Sequence, residues 1–275
     1  MKHSLGQNFL TSDNYPKKIA AAAYGGGDMF CTDNITRNVL EIGAGEGILT
    51  RQLSALFGRV VSVEIDTDLT EKLTANLQEL DNVSLVFADY MKLDRAAFFA
   101  EQFQTDKFCV CANIPYYITS PIITELLENY GQVTTITVLV QREAAERFAA
   151  IPGKDKNCSA ASVCAWGNST PKILFNVKRG NFFPVPDVDS AVIQFDKTRP
   201  FGIADSDRDL FFGIARACFG QRRKQIVNPL SEYLKTPKDT VAELLVKCGV
   251  SPQCRAENIT MENWNRICGA VKVKC

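Results

Sequence analysis

The run Val39-Leu40-Glu41-Ile42 passes directly into Gly43-Ala44-Gly45-Glu46-Gly47, and a helical pattern begins at Ile48. This strand, glycine loop and helix constrain the fold more than any other stretch. Glycines at such a junction allow a tight turn and let a ligand approach the backbone closely. The same alternation continues downstream. Strands are expected at Val60–Glu64, Val83–Phe87, Phe108–Ala112 and Val133–Val140, with helices over 48–57, 67–80, 120–130 and 142–150 between and after them. Strands alternating with helices predict an α/β fold whose mostly parallel sheet is covered on both faces. An earlier helix is expected over 17–24, ended by Gly25-Gly26-Gly27.

After residue 151 the pattern changes. Lys172–Lys178 and Val188–Phe195 read as two further strands, an antiparallel pair on the sheet edge. Beyond the polar linker 196–200 only helical spacing remains, as in Leu210, Ile214 and Cys218. The expected division is a domain over 1–196 and a small helical domain over 197–275. The 31 basic and 31 acidic residues cancel overall. Residues 200–275 nevertheless carry 12 basic against 8 acidic, which leaves 19 against 23 in the remainder. The excess makes the C-terminal part a candidate phosphate-contacting surface.

Composition narrows the chemistry. No apolar run reaches the roughly 20 residues needed to cross a bilayer, and the first ten residues lack a signal-like apolar core. A cytoplasmic protein is expected. The ten cysteines are scattered, several lie within apolar segments, and none forms a C-x-x-C pair. They read as reduced core thiols, not as disulfides or a zinc site. The one histidine is His3, which argues against a mechanism that needs a positioned imidazole base.

The glycines follow G-x-G-x-G, not the G-x-G-x-x-G of dinucleotide binders, and Glu46 within the loop is a poor neighbour for a pyrophosphate. A cationic sulfonium with an amino-acid tail tolerates acids better. Glu64 ends the second strand, where a carboxylate can accept both hydroxyls of a ribose. Asp89 follows the third, where it can accept from an adenine amine. Gly43, Gly45, Glu64 and Asp89 together point to an adenosine-bearing cofactor at the C-terminal ends of parallel strands.

After the fourth strand comes Asn113-Ile114-Pro115-Tyr116. An aromatic amine is a poor nucleophile, because its lone pair is delocalised into the ring. The Asn113 side-chain oxygen and the Ile114 carbonyl could both accept from that amine, favour a pyramidal nitrogen and stabilise developing charge. Pro115 would fix the backbone that aims the carbonyl, and Tyr116 could stack on a base taken out of its helix.

With these residues the chain resembles the KsgA/RsmA family of ribosomal RNA adenine dimethyltransferases. The resemblance runs from Leu5 to at least Asn228. It rests on Gly6-Gln-Asn-Phe-Leu10, Glu41-Ile-Gly-Ala-Gly-Glu-Gly47, Asn113-Ile-Pro-Tyr-Tyr-Ile-Thr-Ser-Pro121 and Gln141-Arg-Glu143. Later strings are Phe182-Phe-Pro-Val-Pro186 with Val188-Asp-Ser-Ala-Val192, and Phe219-Gly-Gln-Arg-Arg-Lys224. The resemblance implies a Rossmann-like class I methyltransferase sheet that uses S-adenosyl-L-methionine. It implies that Asn8 and Leu10 close over the cofactor, Gly43 and Gly45 hold its methionine part, Glu64 its ribose and Asp89 its adenine. Asn113, adjoining cofactor and base, would take the target amine with Ile114 and Pro115, and Tyr116 and Phe182 would hold the base. Arg222, Arg223 and Lys224 would meet RNA phosphates. The substrate implied is a pair of adjacent adenines near the 3′ end of small-subunit rRNA, dimethylated at N6 during subunit assembly. The partner would be the small-subunit precursor, and the enzyme would act as a monomer without metal or membrane. Two alternatives stay open: an Erm-type enzyme acting on large-subunit rRNA, and a non-catalytic rRNA-binding assembly factor.

Overall fold

The computed structural model describes residues 9–12, 14–25 and 38–273. The chain divides into two compact units, one of residues 1–145 with 172–198, the other of 146–171 with 199–275.

The first unit is built on a seven-stranded sheet. In chain order its elements are β1 (Phe9–Leu10), α1 (Asn14–Tyr24), β2 (Asn38–Ile42), α2 (Ile48–Ser54), β3 (Arg59–Glu64), α3 (Thr70–Leu77), β4 (Val83–Phe87), α4 (Arg95–Phe103), β5 (Phe108–Asn113), α5 (Thr119–Asn129) and β6 (Val133–Gln141). After α6 (Arg142–Ala149) and α7 (Ala160–Asn168) the chain adds β7 (Thr170–Val177), β8 (Phe182–Phe183) and β9 (Ser190–Asp196). The sheet order is β4-β3-β2-β5-β6-β9-β7. The first five strands are parallel, and β9 runs antiparallel to β6, with Gln141 opposite Ser190. This is a mixed sheet, with the two late strands at one edge as expected. The strand order reverses between β2 and β5, so the crevice beyond their C-terminal ends is the place where such a sheet binds ligands.

The strands read as apolar runs because both their faces are covered. Val39, Val60, Cys109, Leu139 and Val192 pack with Ile19, Ala20 and Leu53 of the helices above them. On the other side, Phe99, Phe103 and Phe108 form an aromatic cluster, the last two stacked with ring centroids 4.1 Å apart. Asp94 starts α4 by accepting from the Ala97 N–H at 3.1 Å, an N-cap that leaves one fewer orphan donor.

The second unit holds α7, α8 (Arg208–Gly220), α9 (Val227–Leu234), α10 (Lys238–Lys247) and α11 (Met261–Lys272). Its core gathers Phe211, Phe212, Ile214, Leu230, Leu245, Trp264 and Ile267. The sequence reading placed everything up to 196 in the first domain. The structure instead assigns 146–171 to the helical unit, because Cys158 and Val163 are buried in that core. A Ser159–Ser162 capping box starts α7.

Seven of the eight described cysteines are buried and all eight are free thiols. Burial pushes the Cys158 thiol up to about 11 and Cys218 to about 12, and raises Cys111 well above its ordinary value. Among the described residues no helix is long and apolar enough to cross a membrane.

Candidate active site

A cavity of about 320 Å³ opens at the C-terminal ends of β2, β3 and β5, at the reversal point of the sheet. Leu10, Gly43, Gly45, Glu64, Asp89, Asn113, Ile114, Pro115 and Tyr116 all line it. The predicted cofactor group and the predicted amine-binding group thus share one space. Asn8 lies outside the described residues.

The glycine loop has the shape its residues allow. Gly43 and Gly45 adopt φ of 85° and 57°, a left-handed region that disfavours side chains. A Cβ on Gly43 would sit 3.3 Å from the Asn113 carbonyl oxygen, and one on Gly45 would sit 3.0 Å from the Phe9 ring. The loop is therefore pressed against both the Asn-Ile-Pro-Tyr segment and β1.

Glu64 anchors this loop. Its carboxylate accepts from the Gly45 N–H at 2.7 Å and from the Asp66 N–H at 2.8 Å, and the residue is 3% exposed. One side chain thus ties the glycine loop to the segment after β3. Asp89 accepts from the Met91 N–H at 3.0 Å, which curls the segment after β4 into a short turn. Arg95 donates to the carbonyls of Tyr90 and Met91, each at 3.1 Å, and pairs with Glu125.

Among the described residues, the acids on the cavity wall are Glu46, Glu64 and Asp89, and no Lys, Arg or His lines it. Glu46 is paired with Lys72 at 2.6 Å. A wall of this charge suits a ligand carrying a sulfonium, an ammonium, hydroxyls and an amine. It opposes a pyrophosphate. The residues present therefore fit S-adenosylmethionine.

Asn113 ends β5, and the turn after it is fixed by the Ile118 N–H and the Thr119 hydroxyl, both donating to the Pro115 carbonyl at 3.2 Å. The Tyr116 hydroxyl shares a hydrogen bond of 2.8 Å with Ser190 Oγ at the start of β9. This links two of the sequence strings, Asn-Ile-Pro-Tyr and Val-Asp-Ser, through their side chains. Burial raises the Tyr116 hydroxyl above its usual pKa, so it stays protonated in the physiological range.

Phe182 differs from expectation. It is 2% exposed and packed with Leu10, Val177 and Val192 in the core, and it does not line the cavity. Successive side chains on a strand point to opposite faces, so the neighbour Phe183 is turned out, 62% exposed. Arg222, Arg223 and Lys224 follow α8 in the helical unit, all exposed. Arg222 is held there by Glu257 at 3.0 Å and by the Lys156 carbonyl at 2.8 Å.

Sequence reasoning missed the apolar part of the wall: Phe9, Ile65, Met91 and Tyr117. Ile65 and Met91 lie one and two positions beyond Glu64 and Asp89, and that adjacency was the available signal. It also missed Glu41. This residue is fully buried beneath the loop and accepts from Thr50 Oγ1 at 2.6 Å and Ser62 Oγ at 2.5 Å. Its Oε1 has no hydrogen-bond partner. Burial, opposed by those two hydrogen bonds and reinforced by Glu64, pushes its pKa up to about 7.

The folded protein thus keeps the Glu41 proton that the unfolded chain releases near 4.5. Stability from this group is fully present below that value and is lost as pH rises to about 7. The loss is about 3 kcal/mol for a shift of this size. Glu41→Gln is expected to remove that fall, as read by denaturant unfolding at pH 5 and pH 8. An unchanged pH slope in the variant would rule the assignment out.

The model of the ribosomal RNA adenine dimethylase family matches residues 1–272. The chain belongs to that family. Among relatives, a ribosomal RNA small subunit methyltransferase A from Geobacillus thermodenitrificans is 36% identical, covering 98% of this chain and 90% of its own. One of the same name from Moorella thermoacetica is 38% identical, covering 97% and 91%. Among solved structures, the 23S rRNA methyltransferase ErmE is similar at 26% identity and a TM-score of 0.72, over 96% of this chain and 99% of that one. A dimethyladenosine transferase from Plasmodium falciparum shares the fold, with a TM-score of 0.71 over 94% and 95% of the two chains at 22% identity. Family and fold make this an S-adenosylmethionine-dependent methyltransferase.

Proposed function

We propose that this chain transfers methyl groups from S-adenosylmethionine to the N6 amines of two adjacent adenines near the 3′ end of small-subunit rRNA, giving N6,N6-dimethyladenosine. The observation that carries this reading is the placement of Asn113-Ile-Pro-Tyr116 against the glycine loop, in one cavity with Glu64 and Asp89. The cofactor supplies the methyl group when bound. Gly43 and Gly45 would let its methionine part approach the backbone, Glu64 would accept from its ribose and Asp89 from its adenine, with Leu10 also on the wall. Asn113 and the Ile114 carbonyl accept from the target amine, and Pro115 holds that carbonyl in place. Tyr116, steadied by Ser190, offers its ring to the base. The transfer is direct and needs neither a histidine base nor a metal.

In this reading Arg223 and Lys224 meet rRNA phosphates, and Arg222 contributes while braced by Glu257. Changing Arg223 and Lys224 together to Gln is expected to lower the slope of log affinity against log salt by about 0.7–0.9 per residue. Binding to small subunits at several salt concentrations measures this, and an unchanged slope would refute the contact. The enzyme would work as a monomer in the cytoplasm, where small subunits mature.

A second reading, methylation of large-subunit rRNA, is favoured by the likeness to ErmE. The relatives at 36–38% identity carry small-subunit names. Labelled S-adenosylmethionine offered to undermethylated small subunits, with large subunits in parallel, separates the two. Dimethyladenosine mapped to the small-subunit RNA by mass spectrometry supports the first reading. Label confined to large subunits transfers the assignment to the second.

A further inference from the structure

Folding buries most of this chain's aromatic rings, and rings left exposed together as part of one apolar patch mark a surface that binds something. The two most exposed aromatic side chains among the described residues are Tyr117, at 64%, and Phe183, at 62%. One lines the cavity and the other is paired with a residue that lines it. Tyr117 lines it directly, next to the base-binding Tyr116. Phe183 stands opposite Phe9 in the β1–β8 ribbon, and Phe9 lines the cavity as well. Directly opposed residues of an antiparallel pair share a face, so Phe183 extends the aromatic rim outward from Phe9. The apolar surface continues along the same segment through Val185, 60% exposed, and Val188, 44% exposed. Lys178 and Arg179, both exposed, precede β8.

We propose that Tyr117 and Phe183 form a stacking surface for the nucleotide adjoining the target adenine. This rests on the reading of the cavity as the place where an rRNA adenine is methylated. A base can enter that cavity only when unstacked from its neighbours, which leaves the adjoining base without a stacking partner. Exposed aromatic rings beside the opening replace what was lost, since stacking on aromatic side chains is how proteins hold unpaired bases. The surface adjoins the base-binding cavity, and the cations before β8 are of the sign that phosphates require. Tyr117 and Phe183 thus become determinants of RNA binding that act outside the chemical step. They also give a second adenine, next to the first, a place to wait.

The test uses the full chain, S-adenosylmethionine and undermethylated subunits. At both positions Ala, Leu and Trp are compared for kcat/KM toward the subunit and for affinity toward S-adenosylhomocysteine. Stacking predicts that Ala and Leu each lower kcat/KM about tenfold and that Trp keeps it near the parent value. Cofactor-product affinity should stay within about twofold in all of them, an expectation that follows from keeping the cofactor's polar partners. Leu variants as active as the parent would overturn the proposal and leave an apolar contact, as with a ribosomal protein. A parallel loss of cofactor-product affinity would overturn it too, by placing the rings at the cofactor. The series is run on whichever subunit the parent enzyme labels. Label on large subunits would therefore sink the substrate reading while the ring series still decides the stacking surface.

Discussion

Replacing Asn113 by Ala is expected to lower kcat by about a thousandfold while affinity for S-adenosylhomocysteine changes little. The magnitude is that of losing one acceptor or donor aimed at developing charge, about 3–4 kcal/mol. Asn113 ends β5 at the crevice, beside the loop that its carbonyl oxygen approaches. The expected split between chemistry and binding follows from its placement. Glu64 and Asp89, the hydrogen-bonding partners proposed for the cofactor, line the cavity at the ends of β3 and β4 and survive the change. Asn113→Asp, which keeps an acceptor of the same shape, controls for the fold and should retain more activity than Ala. Single-turnover methyl transfer and calorimetric titration of the cofactor product measure the two quantities. Equal losses in both would assign Asn113 to the cofactor instead.

Glu64→Ala should have the opposite signature. The buried carboxylate accepts from the N–H groups of Gly45 and Asp66, and its removal strands both donors. Hydrogen bonds to a charged group contribute about 1.5–3 kcal/mol each, and unmade buried ones cost as much. Losing the loop's anchor and the proposed ribose acceptor together should weaken cofactor affinity by about a hundredfold or more on that scale. At saturating S-adenosylmethionine, kcat should fall far less. Glu64→Gln retains one acceptor and should lie between the parent and Ala. A full-strength titration by Glu64→Ala would show that the loop holds its shape without the carboxylate.

The readable and unreadable parts of this protein divide along physical lines. Strands β2, β3 and β5 were visible because two-sided burial makes them continuous apolar runs, and the polar site residues stood out where those runs stop. The β1–β8 ribbon was not visible, since two residues per strand carry no period. Its register decides the fate of Phe182 and Phe183. Identity alone cannot say which of two consecutive Phe faces the core, and the ring expected at the base, Phe182, is packed in the core. Helix α7 was missed for a related reason. Its run Ala-Ala-Ser-Val-Cys-Ala-Trp is mostly small or apolar, so no polar face marks a helix, and the domain boundary was drawn without it. Glu41 was hidden inside the glycine motif. An acid within a short apolar strand gives no sign in sequence of being fully buried, and only its Thr50 and Ser62 partners reveal its state.

The buried cysteines have a use in watching this protein come apart. Alkylation and disulfide exchange proceed through the thiolate, and burial suppresses that form at Cys111, Cys158 and Cys218. Each such sulfur becomes reactive only when the structure around it opens. Cys109 and Cys111 lie in the central strand of the sheet, while Cys218, Cys248 and Cys268 lie in the helical core. The chain thus carries two separate sets of intrinsic chemical clocks, one for each unit, and the order in which they start records which unit loosens first.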